Sequence, residues 1–127
     1  MRLLLDTHVV IWWLQGSERL AEEVESTINQ GERQIVVSAV TGCEIAHKRA
    51  TGKLRVPDDL ERQIATNEFA ELPITLRHGL AAGGLPMHHR DPFDRLLIAQ
   101  ARCEGLTLVT ADRKVSMYDV PILPAGR

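Results

Sequence analysis

Five short apolar runs recur along the chain with helical patterns between them: RLLL at 2–5, QIVV at 34–37, FAELPI at 69–74, LTLVT at 106–110 and VPIL at 120–123. Parallel strands cannot be joined by a tight turn, so each must be followed by a crossover, usually helical, that carries the chain back. The alternation therefore predicts an α/β fold: a central parallel sheet of about five strands with helices on both faces, a three-layer α/β/α sandwich. A chain of 127 residues buries roughly two-thirds of its unfolded surface on folding, so one domain spanning 1–127 suffices.

The helices have legible ends. THVVIWWLQ follows the first strand, and Ser17 is placed to cap a second helix in which Leu20, Val24 and Ile28 recur at intervals of four before Gly31. Ser38 caps AVTGCEIAHKRA, stopped by Gly52, and Asp58 or Asp59 caps LERQIATN after Pro57. Thr75 caps LRHGLAAG, and Asp91 opens a last helix with Pro92 at its first position and Gly105 at its end.

The formal net charge of −2 gives no global basic field, so any contact with nucleic acid must use a local patch. Cys43 and Cys103 fall in predicted helices without metal-type spacing and read as buried free thiols, which fits a reducing cytoplasm. Asp6 and His8 interrupt the apolar start, and no uninterrupted stretch reaches transmembrane length. No membrane role is expected.

The segment RDPFD places two acids in one turn. Asp91 is a good N-cap, and Asp94 falls where a capping box puts its second acid. At 100° per residue, however, Asp94 shares a face with Leu97, Ile98 and Ala101, while Arg95 and Arg102 lie on another. A carboxylate carried toward a core requires a proton, a cation or hydrogen-bond donors.

Ligands of open parallel sheets bind at the carboxyl edge of the strands. Asp6 follows the first strand there, Asp112 lies just past LTLVT, and Glu44 and Asp94 sit near the starts of helices entered from the same edge. Each acid has an ordinary reading: Asp6 as a cap, Asp112 in the turn TADRK, Glu44 paired with Lys48 four residues on. Together, four like charges at one edge repel and call for a counter-charge. Hard oxygen donors suit Mg²⁺ or Mn²⁺. The five histidines lack zinc-type spacing, and His88 and His89 read as loop or substrate contacts.

LLLDTHVVIWWL, VVSAVTGCEIAHK…GKL, HHRDPFDRLLIAQA and LTLVTAD, in this order and register, together resemble the PIN domain, specifically the bacterial VapC-type ribonuclease toxins. The resemblance spans essentially the whole chain. It implies a PIN-like fold with Asp6, Glu44, Asp94 and Asp112 as the four catalytic, metal-holding acids, and Asp91 mainly as the start of its helix. Thr7 and Thr110 match hydroxyl positions that orient a carboxylate or water. The implied activity is Mg²⁺- or Mn²⁺-dependent endonucleolytic cleavage of RNA, leaving 5′-phosphate and 3′-hydroxyl ends, with one or two ions.

Lys48, Arg49, His88, His89, Arg90, Arg95, Arg113 and Lys114 lie within a few residues of these acids and can hold RNA phosphates, or form a solvated rim. Trp12 and Trp13 are about 100° apart on one helix. Either an uneven core absorbs both, or one is exposed for a partner groove; members of the family bind a small antitoxin over their first helices and often form homodimers. Rival functions would leave other marks in the sequence. A phosphoreceiver signalling domain would carry paired acids after the first strand and an acceptor aspartate after FAELPI, and a haloacid-dehalogenase phosphatase would carry an acid where His8 stands. A catalytically inactive PIN scaffold binding RNA or protein would lack one of the four acids.

Overall fold

The computed structural model describes residues 2–31, 33–56 and 58–127. β1 (Arg2–Leu5) is followed by α1 (Thr7–Gln15), α2 (Glu22–Gln30), β2 (Gln34–Ser38), α3 (Ala39–Ala50), α4 (Leu60–Thr66) and β3 (Ala70–Leu72). Then come α5 (Leu76–Gly83), α6 (Pro92–Glu104), β4 (Thr107–Thr110), a 3-10 turn over Arg113–Met117 and β5 (Ile122–Pro124). The strands lie in the order β3-β2-β1-β4-β5, every neighbouring pair parallel.

Strand alternation divides the core into two. Leu3, Leu5, Ile35, Val37 and Val109 face one side, where Val9 and Val10 of α1, Val24 and Ile28 of α2 and Ile45 of α3 cover them. Leu4, Val36 and Leu108 face the other, beneath Ala82 of α5 and Leu97, Ile98 and Ala101 of α6. Successive side chains of a strand point to opposite faces, so a run such as Leu3-Leu4-Leu5 is apolar throughout only because both faces are covered. No helix of the described residues is long and apolar enough to cross a membrane.

The caps at Ser38, Thr75 and Asp91 form as expected. The Ser38 hydroxyl accepts the Val40 amide, Thr75 accepts from His78 in a capping box, and Asp91 accepts the amides of Phe93 and Asp94.

Three local expectations are corrected. Ser17 does not cap α2; its hydroxyl accepts the Arg19 amide. The backbone of 19–21 pairs instead with the end of the chain, through Ala21 N–H to the Ala125 carbonyl, Arg127 N–H to the Arg19 carbonyl and a bridge between Leu20 and Gly126. The helix therefore starts at Glu22. Asp59 occupies the N-cap of α4, but its carboxylate accepts the side chains of Arg62 and Gln63 rather than a backbone amide. Pro57, expected before that cap, lies outside the described residues. The cysteines are free, as expected, but Cys43 is exposed and Cys103 half-buried, because both fall on helix flanks away from the sheet.

β1 is the centre of the sheet, and the chain leaves it first toward β2 and later returns to its other side as β4. This reversal of direction opens a crevice at the carboxyl ends of β1 and β4. Asp6 and Asp112 stand at those two ends.

Candidate functional site

Asp6 leaves β1 with its amide bonded to the Val109 carbonyl at 2.9 Å, so the first acid is fixed by the strand pairing itself. Its side chain is 4% exposed. Oδ2 accepts the Thr110 hydroxyl at 2.6 Å, and Oδ1 is buried without a partner. The same Thr110 hydroxyl accepts the Asp112 amide at 3.0 Å, so one side chain orients the first acid and the backbone of the fourth. Burial raises the Asp6 carboxyl above its ordinary range; the Thr110 hydrogen bond opposes this, and the nearby charge of Glu44 adds to it.

Glu44, 3% exposed, reaches the site from the second turn of α3. Its Oε2 pairs with Lys48 Nζ at 2.8 Å, and Oε1 is buried without a partner. Thr41, one turn earlier, exchanges a hydrogen bond of 3.1 Å with Thr7 and ties α3 to α1. Thr7 thus braces helices, whereas Thr110 holds an acid directly. Thr41 was missed in the sequence, although its three-residue spacing from Glu44 is a signal that it shares the face of that acid.

Asp94 sits in the first turn of α6, whose inward face is formed by Leu97, Ile98 and Ala101, all buried. Burial, then the charges of Asp6 and Asp91, push its carboxyl up to about 7. Asp112 faces a different balance. Burial works upward on it, but the Lys114 amide and the His89 ring, both hydrogen-bonded to it, and then the His89 and Lys114 charges, hold it below the ordinary range. Asp91 spends its carboxylate on the helix start and stays out of the cluster.

His89 is buried in the middle of the acids. Its Nε2 lies 2.9 Å from Asp94 Oδ2 and 2.9 Å from Asp112 Oδ2. One ligand-type atom each from His89, Asp94 and Asp112 lies within 4.8 Å of the others. The expectation of a loop or substrate contact is thus corrected: the ring points inward, because its backbone is held from both sides.

The expected cationic rim separates into two groups. His88, Arg90, Arg113 and Lys114 are exposed around the mouth, with His88 edge-on to Tyr118 at 5.1 Å. Lys48 is engaged by Glu44, and Arg49 by Asp58 at 2.9 Å. Arg95 is a correction. It is buried, and its guanidinium donates to the carbonyls of Pro86, His89, Ala82 and Leu85. A loop folded inward leaves carbonyls that need donors, and the two terminal nitrogens of Arg95 supply them, which takes this buried guanidinium off the exposed rim.

The indoles are also settled. Trp12 and Trp13 are both half-buried against the core under α1, and Trp13 donates to Asn29 Oδ1 at 2.9 Å and leans on Phe69 at 5.3 Å. Neither indole is freely exposed, and each keeps part of its surface outside the core.

The donors that remain are carboxylate oxygens. Two of them, Asp6 Oδ1 and Glu44 Oε1, are dehydrated and unpaired, a costly arrangement for anions unless a cation joins them. The residues fit a hard divalent ion.

Comparison with known proteins agrees with this geometry. Residues 3–122 match the PIN domain family. Ribonuclease VapC22 of Mycobacterium tuberculosis is 30% identical over 122 residues, 94% of this chain and 93% of that protein. In fold, the chain is similar to FitAcB from Neisseria gonorrhoeae, with a TM-score of 0.70 and 20% identity over 96% of each chain. It is likewise similar to VapBC2 from Rickettsia felis bound to a DNA fragment from their promoter, with a TM-score of 0.67 and 14% identity over 98% of this chain and 99% of that one. The chain belongs to the PIN-domain family and is of the VapC type.

Proposed function

We propose that this chain is a divalent-metal-dependent endoribonuclease, the toxin of a VapBC-type toxin–antitoxin pair, with Asp6, Glu44, Asp94 and Asp112 holding Mg²⁺ or Mn²⁺. The observation that carries the proposal is the pair of buried, unpartnered oxygens, Asp6 Oδ1 and Glu44 Oε1, within the electrostatic reach of Asp94. Asp6, Glu44, Asp94 and Asp112 would hold the ion, which when bound would supply an acidified water and positive charge beside a phosphodiester. Thr110 orients Asp6, Lys48 neutralises one oxygen of Glu44, and the buried walls keep the acids from being hydrated.

His88, Arg90, Arg113 and Lys114 receive the RNA phosphates, and cleavage leaves 5′-phosphate and 3′-hydroxyl ends. A shallow mouth at a sheet edge reaches bases in single-stranded or looped RNA and not those stacked in a duplex. The likeness to a ribonuclease supports the activity, and the likeness to structures of toxin–antitoxin complexes, including one from Klebsiella pneumoniae, supports a small antitoxin as partner. A homodimer acting in the cytoplasm completes the reading. Membership of the PIN family sets the phosphoreceiver alternative aside, and an inactive scaffold has no use for two buried carboxylate oxygens left without partners.

The test is incubation of the purified chain with total RNA in EDTA, Mg²⁺ and Mn²⁺, beside a thermal melt in each. Cuts at a few sites, present only with metal, and a melting temperature raised by Mn²⁺ and restored by EDTA are expected. Cleavage in EDTA, or no metal-dependent change in either measurement, would refute the proposal.

A further inference from the structure

The loop between α5 and α6 is fastened more heavily than a connection requires. Arg95 Nη1 donates to the carbonyls of Pro86 at 3.0 Å and His89 at 3.1 Å, and Nη2 to those of Ala82 at 2.8 Å and Leu85 at 3.0 Å. The Tyr118 hydroxyl donates to the Pro86 carbonyl at 2.7 Å and accepts the His89 amide at 2.8 Å. Two buried side chains from separate elements therefore grip His89 at both its N–H and its C=O. Such a network leaves the backbone of this residue almost no freedom.

The ring is fixed as well. The Asp91 amide donates to Nδ1 at 3.2 Å, which makes Nδ1 the acceptor and places the hydrogen on Nε2. That single N–H is donated to Asp112 Oδ2 at 2.9 Å, and Asp94 Oδ2 lies against the same nitrogen at 2.9 Å without a hydrogen bond of its own. Proximity alone would suit a mixed nitrogen and oxygen ligand set. The Asp91 amide decides otherwise, because a protonated Nε2 has no lone pair to offer a cation.

We propose that His89 is a positioning residue: its Nε2–H holds Asp112 by a hydrogen bond while Asp94 Oδ2 rests against the same nitrogen, a clamp on both acids, and the cation is held by oxygens alone. This rests on the reading of the four acids as a metal site. Neither carboxylate oxygen of Asp94 accepts a hydrogen bond among the described residues; Oδ2 is in contact with Nε2, which leaves Oδ1 for the ion. The third acid would otherwise be free to turn, since the N-cap duty in this helix belongs to Asp91.

The experiment is Mn²⁺ binding by electron paramagnetic resonance on the full chain, comparing wild type with His89→Gln and His89→Leu, each checked for folding by circular dichroism. Gln offers an amide N–H near the position of Nε2, while Leu fills the space and donates nothing. The dissociation constant should stay within about threefold of wild type for Gln and weaken on the order of 10- to 100-fold for Leu. Spin-echo spectra of the Mn²⁺-loaded wild type should show no coupling to a directly bound imidazole ¹⁴N. Nitrogen spectra of the metal-free protein should place the hydrogen on Nε2 of His89.

A directly coupled ¹⁴N that disappears in the Gln variant would overturn the clamp and make His89 a ligand. A folded Leu variant that binds as tightly as wild type would overturn it too. Should the Leu variant not fold, the Gln variant and the nitrogen coupling still decide. Wild type that binds no Mn²⁺ while keeping the Nε2–H would instead sink the metal reading, and the proposal with it.

Discussion

Replacing Asp94 with Asn should stabilise the metal-free protein at alkaline pH and leave it nearly unchanged in acid. Burial and the charges of Asp6 and Asp91 push the Asp94 carboxyl up to about 7 from an ordinary 3.8. Below about pH 4 the carboxyl is protonated in both the folded and the unfolded chain and costs nothing. As the pH rises toward about 7 the unfolded chain releases the proton first, so stability falls, and above the folded value the loss is complete. At about 1.4 kcal/mol for each tenfold change in proton affinity, the ceiling is ~4 kcal/mol. The side chain is 15% exposed and touches the His89 ring, and screening by water at the mouth reduces the expected gain to ~1–2 kcal/mol.

Asn keeps the shape of the acid and its contact with the His89 ring. Urea unfolding in EDTA should show the variant more stable than the parent by that amount at pH 8, with roughly a quarter of the gain left near pH 4.5. Millimolar Mn²⁺ should reverse the order, since only the parent gains from it, and cleavage by the variant should be lost. A variant no more stable than the parent at pH 8 in EDTA, or a gain independent of pH, would refute the argument.

Three further outcomes are expected. Asp91→Asn should match the parent in stability and cut RNA at a similar rate, whereas Asp91→Ala should lose ~1 kcal/mol in urea unfolding; a folded but inactive Asp91→Asn would mean that the two acids of RDPFD have been assigned the wrong way round. Arg95→Lys should cost ~3 kcal/mol or more, because an ammonium cannot serve four carbonyls in a fork; a loss below ~1 kcal/mol would contradict the buried role. The double change Arg113→Gln with Lys114→Gln should leave the melting temperature unaltered but weaken RNA binding and flatten its salt dependence, by a slope of about one to two, as measured by filter binding; an unchanged slope would remove these residues from the RNA path.

The parts of the fold that sequence reveals are those set by local spacing. Leu3, Leu4 and Leu5 announce a strand buried on both faces, Thr75 and Asp91 announce helix starts, and the 100° step carries Asp94 inward with Leu97 and Ile98. What stays hidden depends on partners far along the chain. Nothing near Ser17 shows that the backbone of 19–21 pairs with residues 125–127. Arg95 looked like a rim cation because arginine is seldom buried, and only the folded loop reveals four carbonyls waiting for it. The inward turn of His89 is likewise invisible locally, since the groups that fix it, Tyr118 and Arg95, act on its backbone. The indole pair could be read either way because Asn29 and Phe69, which absorb Trp13, come from other elements.

The hydroxyl that orients Asp6 comes from Thr110, 104 positions later. Closing so long a loop carries an entropic cost that only the completed pairing of β1 with β4 offsets. A chain emerging from the ribosome therefore holds Asp6 for most of its synthesis without the strand that aligns it. The fourth acid lies two residues past the end of that strand, so no complete cluster exists before β4 has been made. The complete set of four acids therefore meets only in a chain whose β4 has docked beside β1.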